Sequence, residues 1–178
     1  MRAETLEPLG RAYRESPTPQ NRAKLKRFAA SHSKDSLGAR ALLALGATDF
    51  ERKAFAEALP NLESAQRRLP KLADYTAYLI ASSQSGLQKH SEAVQALEPL
   101  WTASPKSPLL ANSVLLAARS HLAMQQPKQA SDLLRKHLPE LPEAPAHLLL
   151  GSAAEAAGDD AGAVSHYQTV FHNQPDSP

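Results

Sequence analysis

The run ALLALGATDFERKAFAEALPNLESAQRRLP, residues 41–70, sets small residues, leucines and aromatics at regular intervals and closes on a proline. It holds no group arranged for chemistry. Sliding it along the chain shows that the spacing recurs. With an alanine as anchor, the units align at Ala58, Ala93, Ala130 and Ala163, separated by 35, 37 and 33 residues (93 − 58, 130 − 93, 163 − 130). Four residues after each anchor comes Leu62, Leu97, Leu134 or Tyr167, and seven after it Ala65, Leu100, His137 or Val170. Twelve after it comes Pro70, Pro105, Pro142 or Pro175. With 14 prolines in 178 residues, one position in about thirteen is proline (178/14), so four in register is not chance. Proline cannot continue a helix, and these four are read as terminators of the second helix of each unit.

Twelve residues before each anchor the side chain is at most a methyl group: Gly46, Ala81, Ala118 and Gly151. One position earlier lie Leu45, Ile80, Ala117 and Leu150, and three earlier again Leu42, Ala77, Val114 and His147. That spacing is one stripe of a first helix. Two antiparallel helices joined by a short turn approach closely only where small residues meet, so Gly46 and Ala58 are the expected crossing point of the first unit. Phe50 and Phe55 are expected to fill the space where the helices diverge near their turn.

Strand patterning is almost absent, and Ala and Leu at three- and four-residue spacing dominate. The fold expected is all-α, a right-handed solenoid of stacked antiparallel helix hairpins. Four repeats are expected at 39–70, 74–105, 111–142 and 144–175, followed by a tail at 176–178. Residues 1–38 are looser, with helices expected near 4–15 and 19–32 around the SPTP stretch, and are read as a degenerate capping pair.

The pattern resembles the tetratricopeptide repeat, a helix–turn–helix unit of about 34 residues. The first and fourth units carry it most fully, the fourth through Leu150, Gly151, Gly158, Ala163, Tyr167 and Pro175. The second and third depart from it: Ala81 and Ala118 replace the helix glycine and Gln88 and Gln125 the turn glycine, so reshaped turns are expected there. A narrower resemblance covers about residues 20–105. The "LALG…FE…AEALP" run followed by Leu72, Asp74, Tyr75, Tyr78 and Ala81 is similar to the N-terminal superhelical region of bacterial soluble lytic transglycosylases. That resemblance implies a non-catalytic arm of a peptidoglycan-cleaving enzyme, a periplasmic location with the signal peptide outside this sequence, and a lysozyme-like domain following the repeats. The alternative is a stand-alone adaptor in a bacterial multiprotein assembly, cytoplasmic if the transglycosylase resemblance does not hold.

Composition excludes several classes. A formal charge of +2 gives no strong attraction to nucleic acid, although residues 1–38 hold 8 Lys/Arg against 4 Asp/Glu and the remainder 12 against 14. No cysteine is present for thiolate chemistry, and no apolar run is long enough for a membrane span. Glu–Ser pairs occur at Glu15–Ser16 and Glu63–Ser64, and in the transglycosylase family such a Glu is the catalytic acid. Here neither sits in a lysozyme-like context, and Glu63 is expected to pair with Arg67 on the surface of a second helix. The seven histidines form no metal-ligand motif, with His137 and His147 expected to pack on stripes. No cofactor, metal site or catalytic residue is assigned.

What remains is surface. In stacked hairpins the first helices line a concave face, and its exposed positions are expected to include Arg40, Leu43, Phe50, Glu51, Tyr75, Tyr78, Asn112, Leu115, Arg119, Leu148, Ser152 and Glu155. Arg40, Phe50, Tyr75, Tyr78, Asn112 and Arg119 are the candidate binding residues, for a protein, a peptide or a glycan of a cell-wall assembly. The sixth positions of the units, Ala44, Leu79, Leu116 and Leu149, lack the cations and amides that a clamp for a C-terminal carboxylate employs.

Overall fold

A computed structural model of the chain describes residues 5–173. Among these, ten α-helices are found and no strand: α1 (Leu6–Glu15), α2 (Pro19–Ser31), α3 (Ser36–Glu51), α4 (Phe55–Gln66), α5 (Ala73–Gly86), α6 (His90–Thr102), α7 (Leu110–Ala123), α8 (Pro127–His137), α9 (Glu143–Ala156) and α10 (Asp160–Asn173). The chain divides into two compact units, Met1–Gln88 and Lys89–Pro178.

Local signals explain where the helices begin. Thr18 caps α2 by accepting from the Asn21 amide at 3.2 Å, with Pro19 at the first helical position. Asp35 caps α3 by accepting from the amides of Leu37 and Gly38 at 2.9 and 3.1 Å.

In the first unit α3 and α4 form the hairpin read from residues 41–70. Ala58 and Leu62 are fully buried, and a Cβ added at Gly46 would stand 2.6 Å from the Leu62 side chain and 3.2 Å from the Ala58 carbonyl oxygen. The crossing point is therefore the expected one. The rings of Phe50 and Phe55 meet near the turn with centroids 5.8 Å apart, and the Phe55 ring also fills the place of a Cβ on Gly86 at the end of α5. The N-terminal residues make a true hairpin: Tyr13 of α1 and Leu25 and Phe28 of α2 pack with Ala41 and Leu45 of α3 in one core. In the second unit α7, α8 and α9 share a core built from Leu110, Val114, Ala118, Ala130, Leu134, Leu150 and Ala153. Gly151 lies against Tyr167 of α10 as Gly46 lies against Leu62.

Two expectations about the connections need correction. The turn residues five before each anchor, Lys53, Gln88, Gln125 and Gly158, all adopt the left-handed conformation, with φ of 60°, 63°, 57° and 77°. The turns at Gln88 and Gln125 are thus not reshaped. The reason is backbone hydrogen bonding: Lys53 N donates to Phe50 O and Ala54 N to Asp49 O, and the same pair recurs as Gln125 to Leu122 with Gln126 to His121, and as Gly158 to Glu155 with Asp159 to Ala154. These bonds satisfy the last carbonyls of the first helix and offset the left-handed penalty of about 1 kcal/mol carried by a residue with a Cβ. Lys53→Gly is therefore expected to stabilise the first unit by about 0.5–1 kcal/mol, seen as a higher urea midpoint at unchanged slope. A lower midpoint would mean that the Lys53 side chain contributes more than its backbone costs.

The second correction concerns the aligned prolines. The helices stop at Gln66, Thr102 and His137, before Pro70, Pro105 and Pro142 are reached. Pro70 instead opens a single 3-10 turn, and Pro142 is the N-cap residue of α9. Each proline lies three to five residues beyond the helix end (105 − 102, 70 − 66, 142 − 137), within or at the close of the connection, and none is the terminal residue of the preceding helix. Pro175 lies outside the described residues.

Candidate functional site

The candidate binding residues sit on first helices, as the register requires. In the first unit Arg40 is exposed on α3, Tyr75 is 44% exposed on α5, and Phe50 and Tyr78 are half-buried. In the second unit Asn112 and Arg119 are exposed on α7. Neither guanidinium, neither tyrosine hydroxyl nor the Asn112 amide has a side-chain hydrogen bond or ion pair with any described residue, so their polar groups are open to an external partner. Phe50 differs, since its ring is engaged by Phe55. Leu115, expected on the exposed face, is buried in the core of the second unit, a consequence of α7 packing on both α8 and α9. Ser152 and Glu155 are engaged locally: the Ser152 hydroxyl donates to the Leu148 carbonyl and Tyr167 donates to Glu155 at 3.0 Å.

The strongest polar cluster of the first unit was not legible as a site. Asp49, at 1% exposure on α3, accepts from the fully buried Tyr13 hydroxyl of α1 and from Arg22 of α2, whose Nη2 lies 2.8 Å from Oδ2 and whose Nε lies 3.3 Å from it. Arg52 completes the set by donating to the Tyr13 oxygen at 3.4 Å. Burial, reinforced by the hydrogen bond to Asp49 and its charge, raises the Tyr13 phenol above its ordinary value. The hydrogen bond to Asp49 raises Arg22 in turn. The tyrosine is thus held protonated and the arginine charged. The cluster joins three helices and is structural, since its members are consumed by one another.

In the second unit His147 of α9 and His166 of α10 bring their Nδ1 atoms to 3.1 Å, so one ring donates and the other accepts. Burial lowers the His166 pKa, and the neighbouring His147 and Arg135 lower it further. His137 is buried near Glu140, its Nδ1 3.6 Å from the carboxylate. Both stripe histidines are packed, as expected from their register. Among the described residues no group of three or more His, Cys, Asp or Glu side chains is placed to hold a metal ion. No described helix is long and apolar enough to cross a membrane. Glu63 is exposed on α4, but the surface ion pair expected with Arg67 does not form: Arg67 is the C-cap residue of that helix, where its backbone amide donates to the Glu63 carbonyl at 3.4 Å.

The sequence profile of the tetratricopeptide repeat matches residues 146–177, which take in most of α9 and all of α10. Among curated proteins none matches the sequence. Among solved structures, MamA (residues 41 to the end) from Desulfovibrio magneticus RS-1 superposes with a TM-score of 0.77 at 18% identity, covering 96% of this chain and 94% of that one. MamA of strain MSR-1 superposes with a TM-score of 0.71 at 16% identity, covering 97% of each chain. The chain therefore carries a tetratricopeptide repeat near its C-terminus and shares the all-helical hairpin fold of these MamA structures.

Proposed function

We propose that the chain is a non-catalytic interaction scaffold that binds an extended peptide on its first-helix faces. The observation that carries this reading is the set of polar side chains on those faces, Arg40 and Tyr75 in one unit and Asn112 and Arg119 in the other, that are exposed and have no partner among the described residues. A planar aromatic with a free hydroxyl and a free guanidinium, one on each of two first helices, suit a peptide with apolar and acidic side chains. Tetratricopeptide-type hairpins supply rigid support for such a face without a catalytic group.

Selection of a random peptide library on the immobilised chain tests the reading. Enriched peptides should carry acidic residues and should lose at least about tenfold in affinity for an Arg40→Glu, Tyr75→Ala variant of unchanged helicity. Enriched peptides that bind that variant equally well would remove these residues from the interface.

A finer reading rests on the run Leu72, Asp74, Tyr75, Tyr78 and Ala81. On it, the scaffold is the periplasmic arm of a peptidoglycan lytic transglycosylase and orients a glycan or a cell-wall partner for a neighbouring domain. The adaptor reading is supported equally by the fold. A parent reading frame encoding a signal peptide and a lysozyme-like domain after Pro178 supports the enzyme arm; a stop codon or further repeats supports the adaptor. In either case this chain alone is expected to release no fragments from purified peptidoglycan.

A further inference from the structure

On α10, Ala161, Val164, Gln168 and Phe171 follow one another at spacings of three, four and three, which places them on one helix face. Val164 is 53% and Phe171 68% exposed. Their register gives the exposure meaning. Phe171 stands eight residues after its anchor Ala163, and the residues eight after Ala93 and Ala130 are Trp101 and Leu138. Both of those pack against the core formed by Leu110, Val114, Leu134 and Leu150. In the units anchored at Ala93 and Ala130 this position is therefore packed on apolar neighbours, whereas no described residue covers Phe171 on α10.

We infer that this α10 face is a self-association surface that pairs with the same face of a second copy, antiparallel, about a two-fold axis level with residue 166. The inference is independent of the peptide-binding reading. The first argument is charge. From Asp160 to Asn173 the helix carries a single carboxylate, Asp160, and no lysine or arginine, so two copies of the face meet without like-charge repulsion. The exposed side of α1 is charged, with Glu7 and Arg11 paired on it, and offers no apolar seat for Phe171. A face that matches only itself produces an isologous pair.

The second argument is complementarity along the helix. In an antiparallel pair centred on residue 166, positions that sum to 332 lie opposite each other. Ala161 then faces Phe171 of the second copy, Val164 faces Gln168, and Asp160 faces His172, since 161 + 171, 164 + 168 and 160 + 172 all give that sum. The large ring meets the methyl side chain, and the acidic N-terminus of one helix meets the histidine at the C-terminal end of the other. His166 is turned to His147 within its own unit and stays outside the pairing.

A single helix pair buries less than the roughly 1,200 Å² of a standard interface, so the association is weak and reversible. Sedimentation velocity over about a hundredfold range of concentration should show monomer converting to dimer and not to longer oligomers. Phe171→Glu, at an exposed site, should raise the dissociation constant at least about tenfold while leaving the helicity unchanged. The chain has no cysteine, so an engineered disulfide can only join two copies. Mixing Val164→Cys chains with Gln168→Cys chains should give the mixed disulfide in excess of either homodisulfide. The mixed pair lies level across the axis, whereas like positions are offset by about 6 Å along it, beyond easy disulfide reach. A monomer at every concentration, or a statistical mixture of disulfides, would overturn the pairing.

Discussion

Asp49→Ala is expected to destabilise the first unit by about 2–4 kcal/mol, the cost of removing the acceptor of a buried hydroxyl together with the carboxylate of a half-buried arginine. The substitution strips Arg22 of its only carboxylate among the described residues and leaves the buried Tyr13 hydroxyl without an acceptor. A typical domain has 5–15 kcal/mol in total, so a loss of this size should melt or fray α1 and α2 at ambient temperature. Hydrogen exchange reads it directly: amides of α1–α3 should lose protection while those of α7–α9 keep theirs. Tyr13→Phe is the gentler companion, expected to cost about 1–2 kcal/mol because it removes the donor and leaves the Asp49–Arg22 pair intact. Protection in α1 and α2 that survives Asp49→Ala would mean that apolar packing of Leu25 and Phe28 alone holds the pair of helices.

The second large effect is expected at Gly38, in the first turn of α3. A Cβ there would stand 2.0 Å from the His32 carbonyl oxygen, 2.6 Å from its carbon and 2.9 Å from the Ala29 carbonyl oxygen. All three obstacles are backbone, and the chain around them is tied further by Arg68, whose Nη2 donates to the carbonyls of His32 and Asp35 at 3.3 and 2.7 Å. No side chain can rotate out of the way. Gly38→Ala should therefore cost about 3 kcal/mol, the upper part of the overpacking range, despite the helix propensity that alanine adds. Gly10 provides the contrast. It lies within α1, and a Cβ there meets its nearest neighbour, the Ala44 methyl, at 3.9 Å, an ordinary contact. Gly10→Ala is expected to gain about 0.5–1 kcal/mol. Equal and small effects of the two substitutions on thermal stability would contradict the close approach of α2 and α3.

These two sites also show where reading the sequence stops. The hairpins were legible because each is a local pattern. Ala58, Ala93 and Ala130 are fully buried and Ala163 nearly so, and Gly46 touches the second helix where its spacing from Ala58 requires. The Asp49 cluster was not legible, since its partners lie 27 and 36 residues away and no periodicity links them. One signal was available: Asp49 follows Leu42, Leu45 and Gly46 at helical spacing, which sets an acid on an apolar stripe and demands a buried partner. Gly38 was missed because its neighbour is a backbone carbonyl of another helix, to which a residue pattern is blind. The turns were misjudged for a different reason. Glycine is the usual signal of a left-handed residue, yet Lys53, Gln88 and Gln125 adopt that conformation because backbone hydrogen bonds of the helix ends hold it. Of the candidate binding residues, exposure on a first helix was legible for Arg40, Tyr75, Asn112 and Arg119, whereas burial of Leu115 followed from packing on two neighbours at once.

The central claim is that the exposed faces of the first helices bind a peptide. It is tested most directly by hydrogen–deuterium exchange of the whole chain with and without a saturating, library-selected peptide. The account predicts added protection on first helices, on α3 and α5 within the one unit or on α7 within the other, where Arg40, Tyr75 and Arg119 lie, with α4 and α8 unchanged. Protection appearing on α4 or α8 with none on the first helices would contradict it.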